Sequence, residues 1–237
     1  MAAGMKACDE VHSDVLSAEL IGGDVLVWDL ETAAALRRKH RIGMSGVGGL
    51  RQTKAHVRRK AGSLPLILTA FETRLGMEQG FLQVFQKRQG AAEERLLWKD
   101  ISCHFRLGDR WEMVFAVYAD LHSNGWYFTD GIRFGVDFLL YGADPSTAHA
   151  PLMLTVARGA PLTQKSDATA GAPDATPEDG ISPVHLSALQ RVAHRSAKQV
   201  LLAWVRCFED GSPGAIMYQE VTRSYSPAPM PDGVEYV

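Results

Sequence analysis

The chain has 237 residues, 46 % of them hydrophobic and 22 % charged, the make-up of a folded chain long enough for one large domain or two small ones. With 25 Lys and Arg against 27 Asp and Glu, the net charge of −2 singles out no partner, and only the local distribution of charge can. Cys8, Cys103 and Cys207 form neither a CxxC pair nor zinc spacing and read as reduced thiols. MAAGMKACDE lacks the apolar core of a signal peptide and no run reaches the length of a membrane span, so the expected compartment is the cytosol or nucleus.

GDVLVWDL (23–30), an apolar run bounded by glycines, predicts a strand. ETAAALRRKH (31–40) predicts a helix with Ala33 and Leu36 inward and its arginines outward. LPLILTAF (64–71) reads as a strand with a helical continuation. FLQVF (81–85) reads as a third strand, on the alternation of Phe81 and Phe85 with the residues between. Residues 86–108, with QKRQGAAEERLLWKD at their centre, are mixed and charged and read as a helical or flexible connector.

Asp109 and Glu112 stand at N-cap and N3 spacing ahead of a run that places Trp111, Val114, Phe115, Tyr118 and Leu121 on one helical face. Asn124-Gly125 ends that helix. WYFT (126–129), a turn at Asp130-Gly131 and IRFGVDFLLY (132–141) predict a hairpin or two successive strands, and APLMLTVA (150–157) a further strand. Residues 158–183, rich in Gly, Pro, Ser, Thr and Ala, predict a mobile surface loop. VHLSALQRVAHRSAK (184–198) returns to helical spacing with Leu186, Leu189, Val192 and Ala193 inward. QVLLAWV (199–205) and AIMYQEV (215–221) predict strands joined by a turn at Asp210-Gly211-Ser212-Pro213. The fold class is therefore α/β (α+β). The expected division is a small α/β N-terminal domain over 1–88, a connector over 89–108, and a C-terminal domain over 109–237 with a mixed sheet flanked by helices.

Three residues near element ends draw attention to chemistry. Tyr141 closes the strand expected over 132–141, on the face shared with Arg133, Gly135, Asp137 and Leu139. His149 follows just beyond the polar turn of Gly142, Asp144 and Pro145, and Lys198 ends a helix directly before an apolar strand. Spacing alone leaves the simpler account open, with Tyr141 capping a sheet edge, His149 on the surface, and Arg191, Arg195 and Lys198 as a solvated basic stripe. As a set, however, a phenol, an imidazole and an ammonium suit RNA cleavage without a metal. A ribose 2′-hydroxyl attacks the neighbouring phosphate. One group takes its proton, one gives a proton to the departing 5′-oxygen, and a cation offsets the charge on phosphorus. Histidine suits the acid and lysine the cation. Tyrosine suits the base where a cation such as Lys198 lies nearby.

Other constellations carry less. The stretch RRKHRIGMSGVGGLRQTKAHVRRK (37–60) contains no acidic residue. Attraction to phosphates and a solvated loop or nuclear-import signal explain it equally well. Its glycines form neither a Walker loop nor a dinucleotide fingerprint. A metal site built from Asp130, Asp137, Asp144 and His149 is discounted. Asp130 and Asp144 sit in turns for backbone reasons, and Asp137, four positions before Tyr141, can simply pair with Arg133. No Gly-x-Ser-x-Gly elbow is present to support a serine hydrolase.

GWYFTDGIRFGVDFLLYGADPSTAHA followed by RVAHRSAKQVLLAWV resembles the nuclease domain of the tRNA-splicing endonucleases (tRNA-intron lyases) over residues 110–223. The shared pattern is a glycine-led hairpin, an FG-x-DF-x-x-Y strand, a turn with a proline, a His-Ala pair, and a lysine entering a strand. GDVLVWDLETAAALRRKH and LPLILTAFETRLGMEQGFLQVF resemble the N-terminal domain of the eukaryotic catalytic subunit that cuts the 3′ splice site. The resemblance implies a tRNA-intron-endonuclease-like fold for the C-terminal domain. It also implies Tyr141 as general base, His149 as general acid and Lys198 as transition-state stabiliser. No cofactor or metal is implied, and the products would carry a 2′,3′-cyclic phosphate and a 5′-hydroxyl. The implied partners are intron-containing pre-tRNA, a small structural subunit, and a second catalytic and structural pair, forming a heterotetramer in the nucleus without membrane association. The sister subunit that cuts the 5′ splice site and a non-catalytic structural or RNA-binding subunit remain the alternatives.

Overall fold

The computed structural model describes residues 15–43, 64–87, 92–159 and 181–221. These fall into two compact units. One holds the described residues up to Asp130 together with Leu140–His149, and the other holds Gly131–Leu139 with those from Ala150 onward.

The first unit is built on a five-stranded sheet. Strands β1 (Leu16–Ile21) and β2 (Asp24–Val27) form a hairpin in which Ile21 pairs with Asp24 across Gly22-Gly23. Both glycines have positive φ, 63° and 96°, as a two-residue hairpin turn demands. Strand β1 was absent from the sequence-based expectation, although Ala18 and Leu20 alternate inward with Ser17, Glu19 and Ile21 outside. The sheet continues through β3 (Leu66–Leu68), β4 (Leu82–Gln86) and β5 (Glu94–Leu96) in the order β3-β2-β1-β4-β5, with only the central β1–β4 pair parallel. In β4 the fully inward residues are Leu82 and Val84, and Phe85 lies on the opposite, partly exposed face. Residues 94–96, expected within a connector, pair with β4 and finish the sheet: Leu96 is buried opposite Val84.

Helix α1 (Leu30–His40) follows β2 as expected, capped by the Asp29 carboxylate accepting from Thr32 N at 2.6 Å and burying Ala33 and Leu36. Helix α2 (Ala70–Glu78) starts at a full capping box. Thr69 Oγ1 accepts from Glu72 N, and the Glu72 carboxylate accepts from Thr69 N at 2.8 Å. The Glu72 side chain is nearly sealed from solvent and also accepts from Gly43 N at 2.6 Å, tying the chain beyond α1 to the head of α2. After a short helix α3 (Trp98–Ser102) comes α4 (Trp111–Ser123), the most apolar helix of the unit. It buries Val114, Phe115, Tyr118 and Leu121 as the spacing predicts, and Met113, Val117 and His122 besides.

The expected cap of α4 is not made. Its N-cap is Arg110, with no side-chain cap bond, and Glu112 instead meets Arg74 of α2 at 2.8 Å. Arg74 also holds Glu78 at 2.7 Å and lies 4.1 Å from the Phe115 ring centroid, so an interhelical charge outcompetes a local cap. At the far end of α4, His122 Nε2 shares a hydrogen bond with the His40 carbonyl (2.8 Å), and Arg41 donates to the His122 carbonyl (2.9 Å). Strand β6 (Tyr127–Asp130) follows α4 with Phe128 inward.

In the second unit, strands run in the order β10-β9-β8-β7. They are β7 (Phe138–Tyr141), of which Phe138 and Leu139 belong here, β8 (Leu152–Arg158), β9 (Gln199–Cys207) and β10 (Pro213–Val221). Strands β8 and β9 are parallel, and α5 (Pro183–Arg195) lies between them in sequence, as a crossover requires. Strands β9 and β10 form an antiparallel pair. Helix α5 is capped by Ser182, which accepts from His185 N, and Pro183 occupies its first turn. It buries Leu189 and Ala193. Val192, expected inward, is 36 % exposed.

The expected strand over 132–141 is only its last four residues. Ile132–Phe134 form a turn of 3-10 helix in which Gly131 O receives Phe134 N and Val136 N, and Gly135 sits at φ 71°. The two glycines permit a tight turn where apolar alternation alone suggested extended chain. Ile132 is consequently 79 % exposed, while Phe138, Leu139 and Leu140 are buried in succession without a polar face between them. Residues 160–180 of the expected loop and 44–60 of the basic run lie outside the described residues.

Candidate active site

Tyr141 is the last residue of β7, as expected, and is half-buried. Its phenol oxygen receives a hydrogen bond from Thr129 Oγ1 of β6 at 3.3 Å. The chain then leaves the sheet through a turn organised by Asp144, whose carboxylate accepts from Ser146 N at 2.7 Å and whose carbonyl accepts from Thr147 N and Ala148 N. That turn delivers His149, exposed, at the end of the same segment of the first unit.

Lys198 belongs to the second unit. Helix α5 stops at Arg195, short of the expected 198. Ser196 caps it, Ala197 adopts a left-handed φ of 51°, and Lys198 N returns to Ala193 O at 2.9 Å. The lysine therefore stands in the step between α5 and β9 rather than on the helix, apart from the stripe of Arg191 and Arg195. Its ammonium donates to the Ala150 carbonyl at 2.8 Å and lies 5.8 Å from the centroid of the Phe134 ring. Ala150 directly follows His149 in the chain.

Asp137 accepts from Val156 N at 2.7 Å, bonding β8 through a side chain. Among the described residues, no group of three or more His, Cys, Asp and Glu is arranged to hold a metal ion. Of the basic run, Arg37 donates to the Gly43 carbonyl and Arg41 to the His122 carbonyl, so both have structural partners. No described helix is long and apolar enough to cross a membrane.

Three neighbours of the candidate residues were not foreseen: Thr129 beside Tyr141, and the Ala150 carbonyl and Phe134 ring beside Lys198. Alternation does put Thr129 opposite the inward Phe128, on the partly exposed face of β6. Its partner could not be counted along a hairpin, because 131–136 is not extended. A main-chain acceptor such as Ala150 O carries no residue-type signal at all.

Residues 111–212 match the family model for the tRNA intron endonuclease, catalytic C-terminal domain, and residues 16–87 match the model for the TSEN34-like, N-terminal domain. The chain is 26 % identical over 192 residues to a tRNA-splicing endonuclease of Saccharolobus solfataricus, covering 81 % of this chain and 91 % of that protein. It is 24 % identical, with the same coverage, to one from Saccharolobus islandicus. To one from Hyperthermus butylicus it is 27 % identical over 144 residues, 61 % of this chain and 75 % of the other. The mixed α/β fold, with its N- and C-terminal parts, matches the architecture of the tRNA-intron endonucleases, and the assignment supports nuclease activity in general. Homology across both ends of the chain supports its membership in the tRNA-splicing endonuclease family.

Proposed function

We propose that this chain is the catalytic subunit of a tRNA-splicing endonuclease that cuts intron-containing pre-tRNA at the 3′ splice site without a metal ion. The observation that carries the reading is the similarity of residues 16–87 to a TSEN34-like N-terminal domain, on a chain whose residues 111–212 resemble the catalytic domain. Retention of Tyr141, His149 and Lys198 in that second segment and just before it ends supports catalysis rather than a scaffolding role.

In this mechanism the 2′-oxygen attacks the adjacent phosphorus while Tyr141 Oη takes its proton. The bond to the 5′-oxygen breaks and His149 protonates that leaving oxygen. The Lys198 ammonium offsets the charge that gathers on the non-bridging phosphate oxygens. The products are a 2′,3′-cyclic phosphate and a 5′-hydroxyl. The working form is a nuclear heterotetramer in which this chain pairs with a small structural subunit through its C-terminal strands, beside a second catalytic and structural pair.

The test is reconstitution of the complex with a His149→Ala chain, assayed on a pre-tRNA carrying both splice sites. Loss of the 3′ cut alone is expected. Loss of the 5′ cut alone assigns the chain to the sister subunit, and loss of neither refutes catalysis by this chain.

A further inference from the structure

Thr129 has an arrangement that the proposed mechanism does not use. It sits on β6 with its neighbour Phe128 turned into the core at 4 % exposure, so the strand itself directs Thr129 to the other, half-buried face. There its hydroxyl donates to Tyr141 Oη at 3.3 Å. Threonine is branched at Cβ and stiff at χ1, so a strand-borne Thr presents its hydroxyl from a nearly fixed point. Tyr141, by contrast, is the last residue of β7, with Gly142 next in the chain and exposed. A ring at a strand end is held less by its own strand than one in the middle, and a bond to its terminal oxygen has the longest lever on its direction.

The length of the bond decides what it is for. Ordinary O–H···O bonds cluster at about 2.7–2.8 Å. At 3.3 Å this one is too long to be a major prop of the fold, but it still fixes where Oη and its lone pairs point. Reaction steps are far more sensitive to direction than folding is: a misplacement of about 1 Å costs on the order of a hundredfold in rate.

We propose that Thr129 is a positioning residue that aims the Tyr141 phenol oxygen at the 2′-hydroxyl of the substrate ribose, an inference that rests on the reading of Tyr141 as the general base. Thr129 gives up no proton in the step. The 2′-hydroxyl proton goes to Tyr141 Oη, and the leaving 5′-oxygen takes its proton from His149.

The test uses the reconstituted complex under single-turnover conditions, with pre-tRNA affinity measured separately. Thr129→Val keeps the branched shape and removes the hydroxyl. It slows the cut that depends on His149 by about tenfold, leaves affinity and the other cut unchanged, and adds nothing further in a Tyr141→Phe background. Thr129→Ser restores the hydroxyl and returns the rate to within about twofold. Should the valine chain fail to assemble, as reported by the other cut in the same complex, Thr129→Ala is judged by the same criteria. A wild-type rate in the hydroxyl-free variant beside a slow Tyr141→Phe overturns the positioning role alone. So does an equal loss of both cuts, or a loss confined to affinity. A wild-type rate in Tyr141→Phe overturns the reading of Tyr141 as base and this inference with it.

Discussion

Removing the Glu72 carboxylate tests how the first unit is held together. The side chain is 3 % exposed and, among the described residues, accepts from Gly43 N at 2.6 Å, Thr69 N at 2.8 Å and Thr69 Oγ1 at 3.0 Å. Glu72→Ala strips the reciprocal half of the α2 capping box, worth about 1 kcal/mol. It also leaves the amide of Gly43 buried without its acceptor, a further cost of about 1–3 kcal/mol. The expected loss is therefore about 2–4 kcal/mol, or roughly 5–15 °C in Tm for a chain of this size. Thr69→Ala, which removes only the outward half of the cap, costs about 1 kcal/mol. Glu72→Gln, keeping one acceptor oxygen, falls between the two. Trp28, Trp98, Trp111 and Trp126 all lie in the first unit, so tryptophan fluorescence in a urea titration reports chiefly its unfolding. A loss below about 1 kcal/mol for Glu72→Ala would refute the claim that this carboxylate fastens the end of α1 to the start of α2.

Two further outcomes follow from close contacts and from charge. A Cβ at Gly131 would meet the Val136 carbonyl oxygen at 2.6 Å and Phe138 N at 2.9 Å, both backbone atoms, so Gly131→Ala forces the 3-10 turn open. The expected cost is at least about 1–3 kcal/mol, measured by thermal melting, and a variant as stable as the parent would show the turn to be soft. Burial, the largest cause, holds the His122 imidazole below the ordinary histidine range. The hydrogen bond with the His40 carbonyl opposes this and the Arg41 charge adds to it. His40 is likewise held down, first by burial and then by Lys39, His122 and Arg41. The unfolded chain binds these protons more readily than the folded one. Stability from this pair is thus complete above about pH 6.5 and is lost as pH falls from there through the folded values. Urea midpoints between about pH 7.5 and about pH 5.5 are expected to decline less steeply in His122→Gln than in the parent, and an identical slope would count against the linkage.

Much of this architecture is legible in the sequence where pattern and chemistry agree. Helix α1 is legible over 31–40 because its inward Ala33 and Leu36 and its outward arginines point the same way, whereas its start at Leu30 and its Asp29 cap fall inside the run that reads as a strand. Expectation failed where a competing interaction was non-local. Glu112 has capping spacing, yet a guanidinium on another helix takes it. The 132–141 run has the composition of a strand, yet Gly131 and Gly135 let it coil before β7 begins. Strand β1 has correct alternation but small or charged residues at half its positions, and its reason for being a strand lies in β4, far along the chain. Of the candidate site, Tyr141 at a strand end and His149 beyond a turn are where the sequence puts them, and Lys198 is displaced from the helix into the step that follows. What surrounds them was invisible, since a carbonyl oxygen and a hydroxyl on a neighbouring strand leave no trace in spacing.

The parallel pairing at the middle of the first sheet has a consequence for synthesis. Leu16 pairs with Leu82, so when β1 leaves the ribosome its central partner has not yet been translated. Until then β1 has only the β2 hairpin, and a lone two-stranded ribbon is marginal in water. Strand β1 is thus made well before the partner that secures it. Nascent chains halted before β4 emerges should accordingly be cut by protease within β1, and chains halted well after it should resist.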